Sequence, residues 1–242
     1  MEAIISSDTL TFLCLLITAV ILFYIFAFRM KWRDILPIIF NPLIKKIPPN
    51  ISPNQISVMG LPIALITALF IYLARYNHYY FIWAAISLLI YALVDSLDGI
   101  LARARNQATK SGAFLDYTLD KLSYLALLSG LILGGHVLTT LVVISMLCTL
   151  FYSLINMESL ALTGSPFPLA ERPRWLILAI ILCLIAFTIK LLGFKSFDLW
   201  KIEIRYFDAL FMILPIYQAS IIFTESRSLW NRLKKIDRAE HK

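Results

Sequence analysis

Long apolar runs separated by short polar segments dominate the pattern of this chain. A helix of about 20 apolar residues crosses the roughly 30 Å hydrocarbon core of a bilayer, and seven runs reach that length. Because the connections are short, successive helices are antiparallel, so the pattern predicts an all-α polytopic membrane protein. The predicted spans cover about residues 9–28, 54–75, 80–103, 112–134, 138–161, 174–193 and 205–225.

The first run predicts an N-terminal transmembrane anchor over residues 1–30. It lacks the basic start and the small-residue cleavage site of a signal peptide, and Arg29, Lys31 and Arg33 follow it at once. We therefore expect an uncleaved helix with its N-terminus outside.

Two further segments have the composition of membrane-surface elements. Residues 31–50 combine apolar side chains with basic ones at both ends, which is typical of an interfacial amphipathic segment, although a basic linker would look similar. Pro37 and Pro42 argue against a single straight helix there. Residues 227–242 form a basic tail with the pattern of a surface helix, and a core domain over 51–226 lies between the two segments.

Composition and charge agree with this architecture. Hydrophobic residues make up 60% of the 242 residues, and the mean hydropathy is +0.80. The three cysteines lie in apolar runs without metal-ligand spacing, and no nucleic-acid-binding motif is present.

The net charge of +7 is distributed unevenly. With seven spans, 16 basic residues fall on the side of the 103–111 turn and 5 on the other, so the positive-inside rule predicts that this turn is cytoplasmic.

Four carboxylates interrupt two of the predicted spans. Asp95 and Asp98 are three residues apart, and Asp116 and Asp120 are four apart, so each pair shares one face of its helix. At about 1.5 Å of rise per residue, an antiparallel hairpin places both pairs about 7–15 Å from its polar turn. Ionisable residues at this depth are costly, which indicates a functional site near one membrane surface.

A divalent cation is the partner that these acids favour. Mg²⁺ takes oxygen ligands and is commonly shared with substrate phosphates, and pairs of such ions support phosphoryl transfer. The same acids could instead form a proton or cation pathway in a transporter, although they cluster near one face rather than through the bilayer.

The acids also carry a resemblance to a known family. Asp95-x2-Asp98-Gly99-x2-Ala102-Arg103-x8-Gly112-x3-Asp116-x3-Asp120 resembles the complete signature of the CDP-alcohol phosphatidyltransferases, from about residue 50 to 225. The resemblance implies a six-helix membrane core, usually homodimeric, to which the N-terminal span is an addition. It also implies that two Mg²⁺ or Mn²⁺ ions are held by Asp95, Asp98, Asp116 and Asp120.

The resemblance further implies roles for individual residues. Asp120 would act as the general base on the acceptor hydroxyl. Residues near the nucleotide would be Gly99, Ala102, Arg103, Gly112 and, at the start of the first core helix, Asn54. Arg103 could equally be an interfacial anchor, and Asn54 could be a capping group, because Ser52, Pro53 and Gln55 already form a capping-box pattern.

The expected activity is transfer of a phosphatidyl-type group from a CDP-linked lipid to the hydroxyl of a small polar alcohol, with release of CMP. A cluster of basic residues favours a phosphorylated polyol, such as glycerol 3-phosphate or inositol phosphate, because guanidinium groups bind phosphate well. Its members are Arg172, Arg174 and Lys121, although the two arginines could also be anchors at the membrane surface. Inositol and serine remain open as acceptors, and so does the reverse arrangement, in which a soluble CDP-alcohol donates to a lipid alcohol.

Overall fold

The computed structural model describes residues 38, 40–163, 174–191, 197–199, 202–204 and 206–240. The predicted N-terminal anchor lies outside these residues. Of the predicted interfacial segment, residues 40–44 form a short helical stretch in which Phe40 is buried.

The described residues form six helices of 18 residues or more and one small hairpin. Five helices agree with predicted spans to within two residues at each end. Three of them (α1, α2 and α4) are long and apolar enough to cross a membrane, and α5 contains a shorter apolar stretch. The all-α polytopic membrane architecture is thus confirmed. The elements are α1 Pro53–Leu73, α2 Tyr80–Ala104, α3 Lys110–Leu133, α4 Thr139–Thr163, α5 Arg174–Leu191, β1 Phe197–Leu199, β2 Ile202–Ile204 and α6 Tyr206–Glu240.

Local side-chain caps fix where α1 and α3 begin. The predicted capping box is present before α1: the Gln55 amide donates to Ser52 Oγ at 3.3 Å, and the Ser52 amide donates to Gln55 Oε1 at 2.9 Å. A second cap, which was not predicted, precedes α3, where the Gly112 amide donates to Thr109 Oγ1 at 3.0 Å. Both caps lie at the ends of the helices that carry the candidate site.

The chain divides into two compact units, of which the first contains α1, α2, α3 and α5. Here α1 packs against both α2 and α3, whereas α2 and α3 share no comparable interface within their described residues. Thr67 Oγ1 donates to Ser87 Oγ at 2.6 Å and joins α1 to α2. At the crossing of α1 and α3, a Cβ added to Gly130 would lie 2.6 Å from the Ala68 carbonyl oxygen, so only glycine permits this approach.

The second unit contains α4 and α6, which pack against each other. The fully buried Asp208 accepts a hydrogen bond from the Leu138 amide at 2.6 Å, just before α4 begins. Further along, Gln218 Nε2 donates to Thr149 Oγ1 at 2.9 Å. Hydrogen bonds thus join the two helices just before the start of α4 and again near its middle.

Two features differ from the prediction. β1 and β2 pair into a small hairpin where only a loop was expected. The basic tail is helical, as predicted, but it is not a separate surface helix: α6 continues past the predicted end of the span near residue 225 to Glu240 as one element, because the tail is rich in good helix formers and contains neither Gly nor Pro.

Candidate metal centre

Three of the four predicted carboxylates converge in the first unit. Asp95 on α2 and Asp116 and Asp120 on α3 each present an oxygen, and these oxygens lie within 4.8 Å of one another. Because α2 and α3 pack on α1 rather than extensively on each other, their facing side chains have room to meet.

The donor set fits a hard divalent cation. Two oxygens on opposite sides of Mg²⁺ are about 4.2 Å apart, twice the metal–oxygen distance of about 2.1 Å, which is close to the observed spacing. At an effective dielectric constant of about 20, two carboxylates 4.8 Å apart repel each other by about 3 kcal/mol. Asp95, Asp116 and Asp120 could therefore hold a cation, which would stabilise their close approach.

Asp98 is held by different partners. Its side chain is buried, and one carboxylate oxygen accepts a hydrogen bond from Ser57 Oγ on α1. The other oxygen accepts from the backbone amide of Gly99. Asp98 interacts electrostatically with Asp116 and Asp120, and its role as a fourth metal ligand stays a prediction.

Asp120 also has a hydroxyl donor from a neighbouring helix. The Tyr91 hydroxyl on α2 donates to Asp120 Oδ1 at 3.0 Å. Neither Ser57 nor Tyr91 was singled out in the sequence. Tyr91 precedes Asp95 by four residues and therefore shares its helix face, a signal that could have found it. Ser57 lies one turn into α1 and carries no comparable signal.

Two predicted nucleotide-binding glycines each lie against the side chain of another predicted nucleotide-binding residue. A Cβ added to Gly112 would lie 3.0 Å from Asn54 Oδ1, so the Asn54 side chain sits directly over this glycine. A Cβ added to Gly99 would lie 3.5 Å from Arg103 Nη1. Ala102 follows Gly99 on the same helix and is half-buried.

Arg105 is a structural residue that the sequence did not reveal. Its guanidinium donates to the carbonyl oxygens of Ile51 at 2.7 Å, Ile47 at 2.8 Å and Pro48 at 3.2 Å. It thereby ties the turn after α2 to the segment before α1, and so helps to hold Asn54 near Gly112.

Residues 50–214 match the sequence profile of the CDP-alcohol phosphatidyltransferases. The chain belongs to the CDP-alcohol phosphatidyltransferase family. This confirms the resemblance given by the aspartate signature, and the family name describes the expected class of enzyme, a phosphotransferase.

Several curated relatives share part of this domain. The chain is 42% identical over 88 residues to an archaetidylinositol phosphate synthase of Pyrococcus horikoshii, which is 36% of this chain and 44% of that protein. It is 28% identical over 156 residues to a phosphatidylinositol phosphate synthase of Mycobacteroides abscessus, covering 61% and 69% of the two chains. A protein with the same name from Streptomyces avermitilis is 27% identical over 140 residues, covering 54% and 56%.

The predicted acceptor cluster is only partly described. Lys121 is half-buried on α3, its Nζ lies 4.9 Å from the centre of the Tyr117 ring, and it interacts electrostatically with Asp120. Arg172 lies outside the described residues. Arg174 begins α5, and its side chain also lies outside them.

Proposed function

We propose that this chain is a phospholipid-synthesising enzyme that transfers a phosphatidyl-type group from a CDP-linked lipid to inositol phosphate, releasing CMP. The observation that carries the proposal is the convergence of Asp95, Asp116 and Asp120 in a chain of this family. Inositol phosphate is favoured over glycerol 3-phosphate because relatives from three organisms are named as inositol phosphate lipid synthases.

Asp95, Asp98, Asp116 and Asp120 would hold two Mg²⁺ or Mn²⁺ ions. Such ions, when bound, neutralise the diphosphate of the donor and stabilise the charge that develops on CMP. Gly99, Gly112 and Asn54 would allow the cytidine to approach the backbone closely.

Asp120 takes the proton from the acceptor hydroxyl in this proposal. The hydroxyl oxygen forms a bond to the phosphorus that carries the lipid, and the bond from that phosphorus to the bridging oxygen breaks. CMP leaves with the bridging oxygen and its electron pair, and the proton remains on Asp120. Lys121 and, on the expected cytoplasmic side, Arg172 and Arg174 would attract the phosphate of the acceptor.

The proposal is tested by CMP release from the purified full-length protein in detergent. CDP-diacylglycerol and a CDP-linked diether lipid serve as donors, and inositol phosphate, glycerol 3-phosphate, inositol and serine as acceptors. We expect release with inositol phosphate, loss of activity in EDTA and recovery in Mg²⁺ or Mn²⁺. Full activity after exhaustive chelation would refute the metal-dependent mechanism. Equal activity with free inositol would refute the phosphorylated acceptor.

The arrangement in the membrane is also part of the proposal. We infer seven spans, an N-terminal anchor outside the family domain, a cytoplasmic site and a homodimer. A cysteine introduced at Gln107 in a cysteine-free background should react with an impermeant maleimide only from the cytoplasmic side, and one at Glu2 only from outside. The reverse labelling would contradict the topology, and a monomeric mass in detergent and in nanodiscs would contradict the dimer.

A further inference from the structure

Tyr91 occupies a fixed position between two helices that build the site. Its side chain is 3% exposed, and its hydroxyl donates to Asp120 Oδ1 at 3.0 Å. The tyrosine lies on α2, one turn before Asp95, whereas Asp120 lies on α3. This hydrogen bond therefore joins the two acid-bearing helices, which are not packed extensively on each other.

The Tyr91 ring is held in place from α1. A Cβ added to Gly60 would lie 3.3 Å from Tyr91 Cε2, tighter than an ordinary van der Waals contact. Gly60 itself is buried. The absence of a side chain at this position leaves just enough room for the ring, so α1 sets the place of the hydroxyl.

A carboxylate on an aspartate rotates easily about its last side-chain bond, because that torsion has only a broad preference. Hydrogen bonds from neighbouring groups restrict such rotation, and loss of one of these partners typically weakens metal affinity or activity about 10–100-fold. We infer that Tyr91 is a positioning residue: its hydroxyl holds the Asp120 carboxylate in the orientation that a divalent cation and the acceptor proton require. The part of this inference that concerns turnover rests on the proposed function, whereas the part that concerns the cation does not.

The test compares Tyr91→Phe with wild type by Mn²⁺ binding, measured by electron paramagnetic resonance on the full-length protein in detergent without substrates. We expect the dissociation constant to rise about tenfold. Tyr72→Phe is the matched control, because the Tyr72 hydroxyl lies 3.4 Å from that of Tyr76, at the opposite end of α1 from its cap. This control should remain within twofold of wild type. An unchanged Mn²⁺ affinity in a folded Tyr91→Phe protein would overturn the inference.

Gly60→Ala provides a second variant that keeps the hydroxyl but displaces the ring. It should weaken Mn²⁺ binding by less than Tyr91→Phe, and it should have no further effect when added to Tyr91→Phe, because both act through the position of the Tyr91 hydroxyl. Additive effects of the two substitutions would overturn the inference. If Tyr91→Phe does not fold, Gly60→Ala alone tests the inference. An Mn²⁺ affinity equal to that of wild type in Gly60→Ala would then count against the role of Tyr91.

Turnover separates this inference from the proposed function. At saturating Mn²⁺, kcat for CMP release should fall in Tyr91→Phe while KM for the CDP-linked lipid stays within twofold. A parallel rise in KM would indicate a general loss of structure and would contradict a positioning role. If wild type releases no CMP with any acceptor, the proposed function fails, while the Mn²⁺ measurements still decide the role of Tyr91.

Discussion

Neutralising one acid of the metal centre should stabilise the protein without metal and weaken its response to metal. Asp95 is the informative position, because it is half-buried and its carboxylate lies within hydrogen-bond reach of Asp120. Its oxygen lies within 4.8 Å of oxygens of both Asp116 and Asp120. In Asp95→Asn the side chain keeps its size, loses its charge and gains an N–H donor for its neighbours.

The size of the expected stabilisation follows from the distance between the carboxylates. Each pair of carboxylates lies within 4.8 Å and so repels by at least about 3 kcal/mol at an effective dielectric constant of about 20. Water reaches a half-buried group and screens this repulsion, so we expect a gain of about 1–2 kcal/mol in the absence of metal. For a chain of this size the gain corresponds to an increase of about 2–8 °C in melting temperature.

The assay is thermal unfolding in detergent at one scan rate, with and without Mg²⁺. In EDTA, Asp95→Asn should melt above wild type. Added Mg²⁺ should raise the melting temperature of wild type, because a ligand that binds the folded state stabilises it, and should raise that of the variant much less.

Asp208→Asn is the matched control, because Asp208 is a buried aspartate in the second unit that accepts from the Leu138 amide. It should keep the full increase with Mg²⁺ whatever its melting temperature in EDTA. If Asp95→Asn is no more stable than wild type in EDTA and responds equally to Mg²⁺, the three carboxylates do not form a cation site.

Three further outcomes can be checked. Asp120→Asn should release no CMP while still binding a CDP-linked lipid, measured by filter binding; activity above a few per cent would require another base. Arg172→Ala should raise KM for inositol phosphate about 10–100-fold, from loss of about 1.5–3 kcal/mol in one charge-assisted contact, with little change in KM for the lipid. Equal changes in both KM values would indicate a membrane anchor instead. Gly130→Ala should lower the melting temperature by about 2–12 °C, because the added carbon would lie 2.6 Å from the Ala68 carbonyl oxygen and such overpacking costs about 1–3 kcal/mol; an unchanged melting temperature would show that α1 and α3 separate freely.

Features that depend on a pattern within one helix, such as its bounds and the face that its acids share, could be predicted from the sequence. The apolar runs gave the bounds of α1 to α5 to within two residues, and the Ser52–Gln55 pattern gave the start of α1. The spacing of the acids also predicted that Asp95 would face Asp116 and Asp120, because each pair lies on one helix face.

Contacts between elements distant in sequence could not be predicted in this way. Ser57 and Asp98 are 41 residues apart, and Tyr91 and Asp120 are 29 apart, so no local pattern joins them. Arg105 counted in the sequence only as one basic charge, yet it binds three backbone carbonyls. The tail was predicted to be helical, but its continuity with the last span was not, because the apolar run stops near residue 225 whereas residues with high helix propensity continue to Glu240.

Because α2 and α3 both pack on α1 and have no comparable interface with each other within their described residues, α1 sets the distance between the two helices that carry the acids of the candidate site. Gly60 of α1 lies against Tyr91 of α2, and Ala68 of α1 lies against Gly130 of α3, and neither contact includes an acid. Enlarging or reducing a residue on either face of α1 would change the width of the gap between the acids and leave the acids themselves untouched. Since oxygens on one Mg²⁺ can be at most about 4.2 Å apart, a change of about 1 Å in this gap decides whether one ion can bridge it. We therefore expect substitutions on the apolar faces of α1 to change the preference of the candidate site between Mg²⁺ and the larger Mn²⁺, without any substitution among the four aspartates.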